Sequence, residues 1–288
     1  MGEFAGIGKD GIAPYYNIYL YVSCNIMSTL YIEIDSFNPY DSLYINRKVV
    51  NRDVLILIKT LRAGGYDVVV KPKDSRRLEY LFKNGVTSFL ADPANQVIIT
   101  IPLGIISGLI TNWIQKQFDK KKESNNIIII DQSTNIITNS FNKTITKGQV
   151  EDTKKKRKII ANNYKKCLKT KSPFLGLPFP ILLDHKPIII GWCSLEETDI
   201  GLEIQKGIIT NKNAYRKIKA GVYKGGSVTG IAKISTCNIC NADYTSCNHI
   251  AGKKYKGKSC HISIIDADLI EVSVVKEPVN TKAILKLI

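Results

Sequence analysis

The sequence predicts an α+β protein in two parts, in which a mainly β domain follows a small α/β domain. Three observations indicate this class. Strand-like and helix-like patterns alternate between residues 29 and 83, many short β-like runs follow residue 159, and a polar, charged stretch lies between the two regions. Because short strands at this spacing are typical of barrels and sandwiches, we expect the second domain to be a closed or nearly closed β-barrel or a β-sandwich.

Four segments are predicted along the chain. A leader over residues 1–26 precedes an N-terminal α/β domain over 27–118, and a linker over 119–158 leads to the second domain over 159–288. The leader has no apolar core after Lys9 and no small-residue cleavage pattern, so it does not have the pattern of a secretory signal.

The first domain is predicted to be a strand, helix, strand, helix unit with no recognisable site. It contains no glycine-rich phosphate loop and no pair of acids, so no function is predicted for it. The predicted elements are a strand over 29–35, a helix over 54–62, a strand over 66–71 and a helix over 75–83.

Residues 97–114 form an apolar segment of 18 residues without a charge, followed by lysines at 120–122. Its length is at the lower limit for a membrane span, and the lysines resemble a cytoplasmic flank. Pro102, Gly104 and Gly108 lower its hydropathy. We predict a strand that enters a buried or interfacial helix, and membrane contact through this segment is the alternative.

The composition is that of a folded protein with a basic excess. Hydrophobic residues make up 44% of the 288 residues, which excludes a disordered chain. The net charge of +16 lies mainly in the second half, and residues 154–158 are all basic. Such charge suits a nucleic acid, an anionic membrane or an acidic protein. We interpret the run as part of a solvated tether, and nucleic acid is not an expected partner.

The second domain is predicted from short β-like runs with a single short helix. The sequence shows no internal repeats. The predicted strands cover 159–164, 181–184, 188–194, 200–205, 226–234, 261–265 and 269–275, and the predicted helix covers 213–219.

The second domain brings a histidine, a serine and a carboxylate to strand ends or turns. His185 follows an apolar run and precedes Pro187, and it is the only histidine outside a cysteine-rich window. Ser227 follows two glycines, and Glu271 alternates with apolar residues of a strand. A serine hydroxyl becomes a nucleophile when an imidazole takes its proton and a carboxylate orients that imidazole. Asp268 is the alternative acid.

Each of these residues also has an ordinary structural interpretation. A lone histidine is commonly a surface or hydrogen-bonded structural residue, and a Gly-Gly-Ser sequence is a common turn. The ordinary alternative for Glu271 is a charged residue on an edge strand. The three residues indicate a catalytic site only in combination.

The cysteines predict a metal site. Their count of seven is odd and no secretory leader precedes them, which argues against a disulfide framework and for a reducing compartment. Cys237, Cys240, Cys247 and His249 have spacings that fit a tetrahedral zinc site. The set closes the coordination shell, so the zinc is expected to be structural and not catalytic. Cys260 is an alternative ligand to His249.

The order of these motifs resembles that of the prohead proteases, the capsid-maturation serine proteases of tailed phages, which share the herpesvirus assemblin fold. The resemblance covers about residues 159–285. The family usually has Ser-Ile-Gly where this chain has Ser227, Val228, Thr229 and Gly230, and Ala where it has Val279. The matching pieces are Leu182 to His185, Ile190-Gly191, Gly201-Leu202, Gly226 to Gly230, and Glu271 to Asn280.

The resemblance implies a function and a setting. His185 would be the general base, Ser227 the nucleophile and Glu271 the orienting acid of a serine endopeptidase that cleaves protein substrates through an acyl-enzyme. It also implies an assemblin-like barrel with a Cys-x-x-Cys insert, located in the cytoplasm of a bacterial host cell or in an assembling virion. A homo-oligomer is compatible with this interpretation. The alternatives are a catalytically inactive, zinc-stabilised assembly or adaptor module, and a basic protein associated with membrane or nucleic acid.

Overall fold

The computed structural model describes residues 31–83, 97–101, 127–131, 136–139, 145–199, 201–278 and 283–285. The predicted leader over 1–26 and most of the apolar segment, residues 102–114, lie outside these ranges. The strands are β1 (Tyr31–Ser36), β2 (Lys48–Asn51), β3 (Asp67–Val70), β4 (Leu78–Lys83), β5 (Val97–Ile101), β6 (Ile127–Asp131), β7 (Ile136–Asn139), β8 (Phe179–Leu183), β9 (Lys186–Thr198), β10 (Gly201–Ile209), β11 (Gly225–Cys237), β12 (Lys254–Tyr255), β13 (Lys258–Ser259) and β14 (Ile262–Val275). The helices are α1 (Arg52–Ala63), α2 (Lys147–Leu168) and α3 (Lys212–Lys219).

One part of the fold consists of a five-stranded sheet and the helix α1. The strand order is β3-β1-β5-β6-β7, with β1 parallel to β3 and antiparallel to β5. The Asn51 side chain caps α1 by accepting a hydrogen bond from the Val54 amide, and Gly64 ends the helix. Apolar residues of α1, β1 and β3 share one core, so the predicted helix over 54–62 and the strands beside it are confirmed.

A mixed seven-stranded sheet carries most of the second half of the chain. Its order is β10-β9-β8-β14-β11-β4-β2, in which β14 with β8 and β2 with β4 are parallel pairs. β11 pairs with β14 on one side and with β4 on the other. The α3 helix packs through Ala214 and Ile218 onto Val272 and Val274 on one face of the sheet. The sheet therefore combines strands from both predicted domains, whose boundaries stay a prediction.

The prediction of a closed barrel is wrong, since the described strands form an open sheet with β10 and β2 at its edges. The free side of β11, where a barrel could close, is occupied by β4, which pairs in turn with β2. The outer edge strand β10 is exposed along nearly its whole length. The α+β class with a mostly β core is confirmed.

The predicted helix over 75–83 is wrong, because residues 78–83 form β4. The local pattern of this segment suits a helix that starts at Ser75. Pairing with both β2 and β11 overrides that preference and places Leu81 and Tyr80 in the core. Tertiary pairing thus decides the conformation of this segment.

The predicted strand over 159–164 is also wrong, because these residues belong to α2. Thr146 and Gln149 form a reciprocal capping box at the start of the helix. The buried residues of α2 follow a helical spacing and form one narrow stripe: Val150, Arg157, Tyr164 and Cys167.

The stretch predicted as a linker, residues 119–158, contains secondary structure. It includes β6, β7 and the first half of α2. The basic run over 154–158 lies on α2, where its four lysines are exposed. Arg157 is instead buried, and its guanidinium lies 3.2 Å from a carboxylate oxygen of Asp35. The run is therefore one turn of a packed helix, with Arg157 on the buried side and the lysines exposed.

The apolar segment over 97–114 begins with β5, as predicted, and its remaining residues lie outside the described ranges. Within the described part of the chain, no helix has both the length and the apolar character needed to cross a bilayer. The expected helical continuation and the alternative of membrane contact stay predictions.

The register between β9 and β10 can be tested with glycine substitutions. A Cβ at Gly191 would fall on the carbonyl oxygen of Ile208, whereas a Cβ at Gly207 would have its nearest neighbour at 3.5 Å. We expect Gly191→Ala to lower the free energy of unfolding by about 1–3 kcal/mol, because a backbone clash forces the strands apart. Gly207→Ala, the control on the facing strand, should leave it nearly unchanged. Urea unfolding measures both, and equal effects would contradict the strand register.

Candidate functional site

His185 lies in a two-residue turn that connects β8 to β9. Leu183 pairs with Lys186, and both Asp184 and His185 adopt left-handed backbone conformations, with φ of 54° and 55°. Two positive φ angles are typical of the turn that best fits the twist of a tight hairpin. A positive φ is uncommon for residues other than glycine, although aspartate and histidine adopt it more often than most, and such conformations recur at functional sites. The predicted strand end is therefore a turn that fixes the imidazole.

The pairing of β11 with β14 places the serine and the acid on one face of the sheet. Ser227 lies opposite Ser273, and Thr229 lies opposite Glu271. Side chains two residues apart on a strand point the same way, so all four face the same side. Because β8 runs parallel to β14, its end brings His185 to that face.

The three predicted residues form one hydrogen-bonded chain. The Ser227 hydroxyl lies 2.9 Å from His185 Nε2, and His185 Nδ1 lies 2.6 Å from Glu271 Oε1. A carboxylate only accepts, so Nδ1 carries the proton and Nε2 accepts from the serine hydroxyl. The contact predicted between Ser227 and His185 is present, and this arrangement can transfer a proton from serine to imidazole.

Two further hydroxyls hold the acid and the histidine. Ser273 Oγ donates to Glu271 Oε2 at 2.6 Å and accepts from the His185 backbone N–H at 3.1 Å. Thr229 Oγ1 lies 3.1 Å from His185 Nδ1 and hydrogen-bonds to Glu271. Both hydroxyls are fully buried. They limit the freedom of the carboxylate and of the turn at the same time.

The electrostatics of Glu271 favour its charged form. Burial raises the pKa of this carboxyl, but the hydrogen bond and charge of His185, together with hydrogen bonds from Ser273 and Thr229, outweigh that effect. The pKa of Glu271 therefore lies below its ordinary value. An ionised acid beside Nδ1 is the form that stabilises an imidazolium.

The site lies in the interior of the protein. The exposed fraction is 4% for Ser227, 5% for His185 and 0% for Glu271. Tyr164 of α2 donates its hydroxyl to the His185 carbonyl oxygen and packs edge-on against Tyr40, with ring centroids 5.1 Å apart. The helix α2, whose first half was predicted to belong to the linker, therefore covers the turn that carries His185.

The sequence prediction missed four residues around this chain. Thr229 and Ser273 follow Ser227 and Glu271 by two positions, so the period of a strand could have identified them. Tyr40 and Tyr164 have no local signal, because the fold alone brings them to the site.

Asp268, the alternative acid, lies elsewhere. Its carboxylate pairs with Arg47 and with Lys233, the latter at 3.2 Å. Ile270 also departs from the predicted alternation, since it packs with Tyr40 and not with Val272. A register shift near Thr229 turns Ile270 toward the other face.

The second cluster lies at the far end of β11. One ligand atom of each of four residues falls within 4.8 Å of all the others, and these residues are Cys237, Cys240, Cys247 and His249. This group could hold a metal ion. Cys260 is outside it, although its Sγ lies 3.7 Å from that of Cys237.

The donor atoms of the cluster fit a bound cation. His249 Nδ1 is buried and has no hydrogen-bond partner among the described residues, which is costly unless the nitrogen binds a cation. Burial raises the pKa of the Cys237 thiol, but backbone N–H donors of Cys240 and Ile239 and the thiols of Cys260 and Cys240 together outweigh burial, so the net pKa is lowered. Asn241 takes a left-handed conformation that closes this turn.

The lowered pKa of Glu271 can be tested by measuring how the stability of the protein depends on pH. The carboxylate contributes stability above the ordinary glutamate pKa of about 4.3, and this contribution is lost as the pH falls through the lower folded-state value. We expect Glu271→Gln to be less stable than the wild type by a margin that is largest above about pH 4.3 and shrinks below it. Urea unfolding at several pH values measures the margin, with exposed Glu277→Gln as the control. A margin independent of pH would contradict the assignment.

Comparisons with known proteins return no match of any kind. No protein-family model matches the sequence, no curated protein matches it, and no solved structure matches its fold. The resemblance to the prohead proteases therefore rests on the short motifs alone, and the geometry of the site carries the functional argument.

Proposed function

We propose that this protein is a serine endopeptidase in which Ser227 is the nucleophile, His185 the general base and Glu271 the acid that orients it. The observation that carries the proposal is the hydrogen-bonded chain from Ser227 Oγ through His185 to the buried Glu271 carboxylate. Buried polar groups in such a directional chain are typical of a proton-transfer site.

The proposed reaction proceeds through an acyl-enzyme. Ser227 Oγ attacks the scissile carbonyl carbon while His185 Nε2 takes the hydroxyl proton, and the same nitrogen then gives that proton to the leaving amine. Water, activated by His185, hydrolyses the ester. The Gly226 N–H already donates to the Ala283 carbonyl at 2.9 Å, so other backbone amides near Ser227 must stabilise the oxyanion.

The substrate class follows from the resemblance to the prohead proteases, whose substrates are proteins. The finer assignments belong to the same proposal: an assemblin-like arrangement of the second half, opened here by the added strands β4 and β2, and action in a bacterial host cell or an assembling virion. A homo-oligomer is compatible with this setting.

A fluorophosphonate probe tests the proposal directly. We expect the wild type to become labelled and Ser227→Ala to lose all labelling while it keeps its unfolding midpoint, because only the nucleophile is removed. Ser235→Ala, which changes a buried serine of the same strand, is the control and should remain labelled. Labelling that persists in Ser227→Ala would contradict the assignment of the nucleophile.

A second candidate is a catalytically inactive, zinc-stabilised assembly or adaptor module. It is favoured by the 4% exposure of Ser227, since a polypeptide substrate must reach the hydroxyl. A folded wild type that no serine-reactive probe labels, with or without candidate protein substrates, would favour this candidate over the peptidase.

We infer that the cysteine cluster holds a structural zinc ion. Zinc prefers thiolate and imidazole ligands in a tetrahedral set, which Cys237, Cys240, Cys247 and His249 provide. Bound there, zinc would cross-link the loops between β11 and β14. Ser227 and Cys237 are ten residues apart on β11, about 30 Å at the rise of a strand, so the metal does not contact the reacting atoms.

The zinc proposal has its own test. Metal analysis of the purified protein should find zinc, and a chelator should lower the unfolding midpoint because a structural site contributes folding energy. Cys240→Ser removes an exposed ligand with little loss of packing and should abolish zinc retention. Cys193→Ser, a buried thiol outside the cluster, is the control and should retain it. Full zinc content in Cys240→Ser would contradict the ligand set.

A further inference from the structure

Lys59 of α1 is a fully buried lysine beside the cysteine cluster. Its side chain has an exposed fraction of 0%. The ammonium Nζ lies 3.3 Å from Cys247 Sγ, 2.6 Å from the His249 carbonyl oxygen and 3.4 Å from the centre of the Tyr244 ring. Two of these three contacts are with proposed zinc ligands.

The surroundings of Lys59 require a negative charge. Burying an ammonium is costly unless an anion compensates it, and the ring and the carbonyl supply only partial charge. Among the residues that the structure describes, no carboxylate contacts Nζ, and the side chain to which Nζ donates is that of Cys247. Cys247 supplies this charge when its thiol is deprotonated, as it is when it binds a metal ion.

A metal-bound cluster supplies the required charge. A coordinating thiol is deprotonated, so three thiolates, a neutral imidazole and a divalent cation leave one negative charge. One ammonium balances that charge. The N–H donor to Cys247 also satisfies the sulfur lone pair that faces α1, which is the role that outer partners of metal ligands commonly have.

We propose that Lys59 is an outer partner of the metal site that compensates its net charge and positions Cys247, and thereby couples metal binding to the packing of α1. This inference rests on the proposed zinc site and goes beyond it, since Lys59 lies in the other half of the chain. A second contact links the same elements: Arg62 of α1 donates to the Thr245 carbonyl at 3.2 Å.

Cobalt(II) titration of the full chain, followed by thiolate-to-metal charge-transfer absorption, tests the inference without an activity assay. We expect Lys59→Met to weaken Co²⁺ affinity by about 10–100-fold, the range found for outer partners of metal ligands. Arg62→Met is the matched control: it removes a contact between the same helix and the insert but touches no thiol. Its Co²⁺ affinity should stay close to that of the wild type.

Lys59→Gln covers the case in which Lys59→Met does not fold. Glutamine keeps a donor for the His249 carbonyl but has no charge, so it should also lose affinity. Wild-type affinity in either folded Lys59 variant would overturn the inference, as would an equal loss in Arg62→Met, which would show that α1 packing alone matters. A wild type that binds neither Co²⁺ nor Zn²⁺ would instead overturn the zinc site itself.

Discussion

The antiparallel pairing of β11 with β14 is the constraint on which the rest of the structure depends. Near the start of β11, this pairing places Ser227 opposite Ser273 and Thr229 opposite Glu271. At its other end it pairs Cys237 with Ile262 and so brings the two ends of the cysteine-rich insert together. A one-residue slip of β14 would turn Ser273 and Glu271 to the face opposite to Ser227 and Thr229. One pair of strands thus fixes both proposed sites.

The polar groups around His185 are buried together, and this explains why they form a network. Each acceptor of Glu271 has a donor, and both backbone groups of His185 have partners, Ser273 for the N–H and Tyr164 for the carbonyl. A buried network is stabilising only when its members are satisfied. The left-handed turn is held by these bonds, so the imidazole has its orientation before any substrate arrives. Preorganisation of this kind is what a proton-transfer site requires.

The sequence was informative wherever function follows a local pattern. The three residues of the proposed triad and the cysteine ligands could be identified because strand alternation and ligand spacing are short-range signals. The sequence was less informative where distant pairing decides the structure. β4 has a helical pattern that two flanking strands override, and α2 resembles a tether because only one narrow stripe of it is buried. Lys59 gave no signal at all, since a lysine on a helix is normally solvated.

Both halves of the chain contribute strands to one sheet, and this limits where the protein can be divided. A cut at residue 159 would divide α2 in the middle and remove β4 and β2 from the side of β11. The bared edge of β11 would present unpaired amide and carbonyl groups next to Ser227, a template for pairing with another chain. In this fold β4 and β2, which come from the N-terminal half, cover the edge of the strand that carries the serine, so we expect the two halves to unfold together.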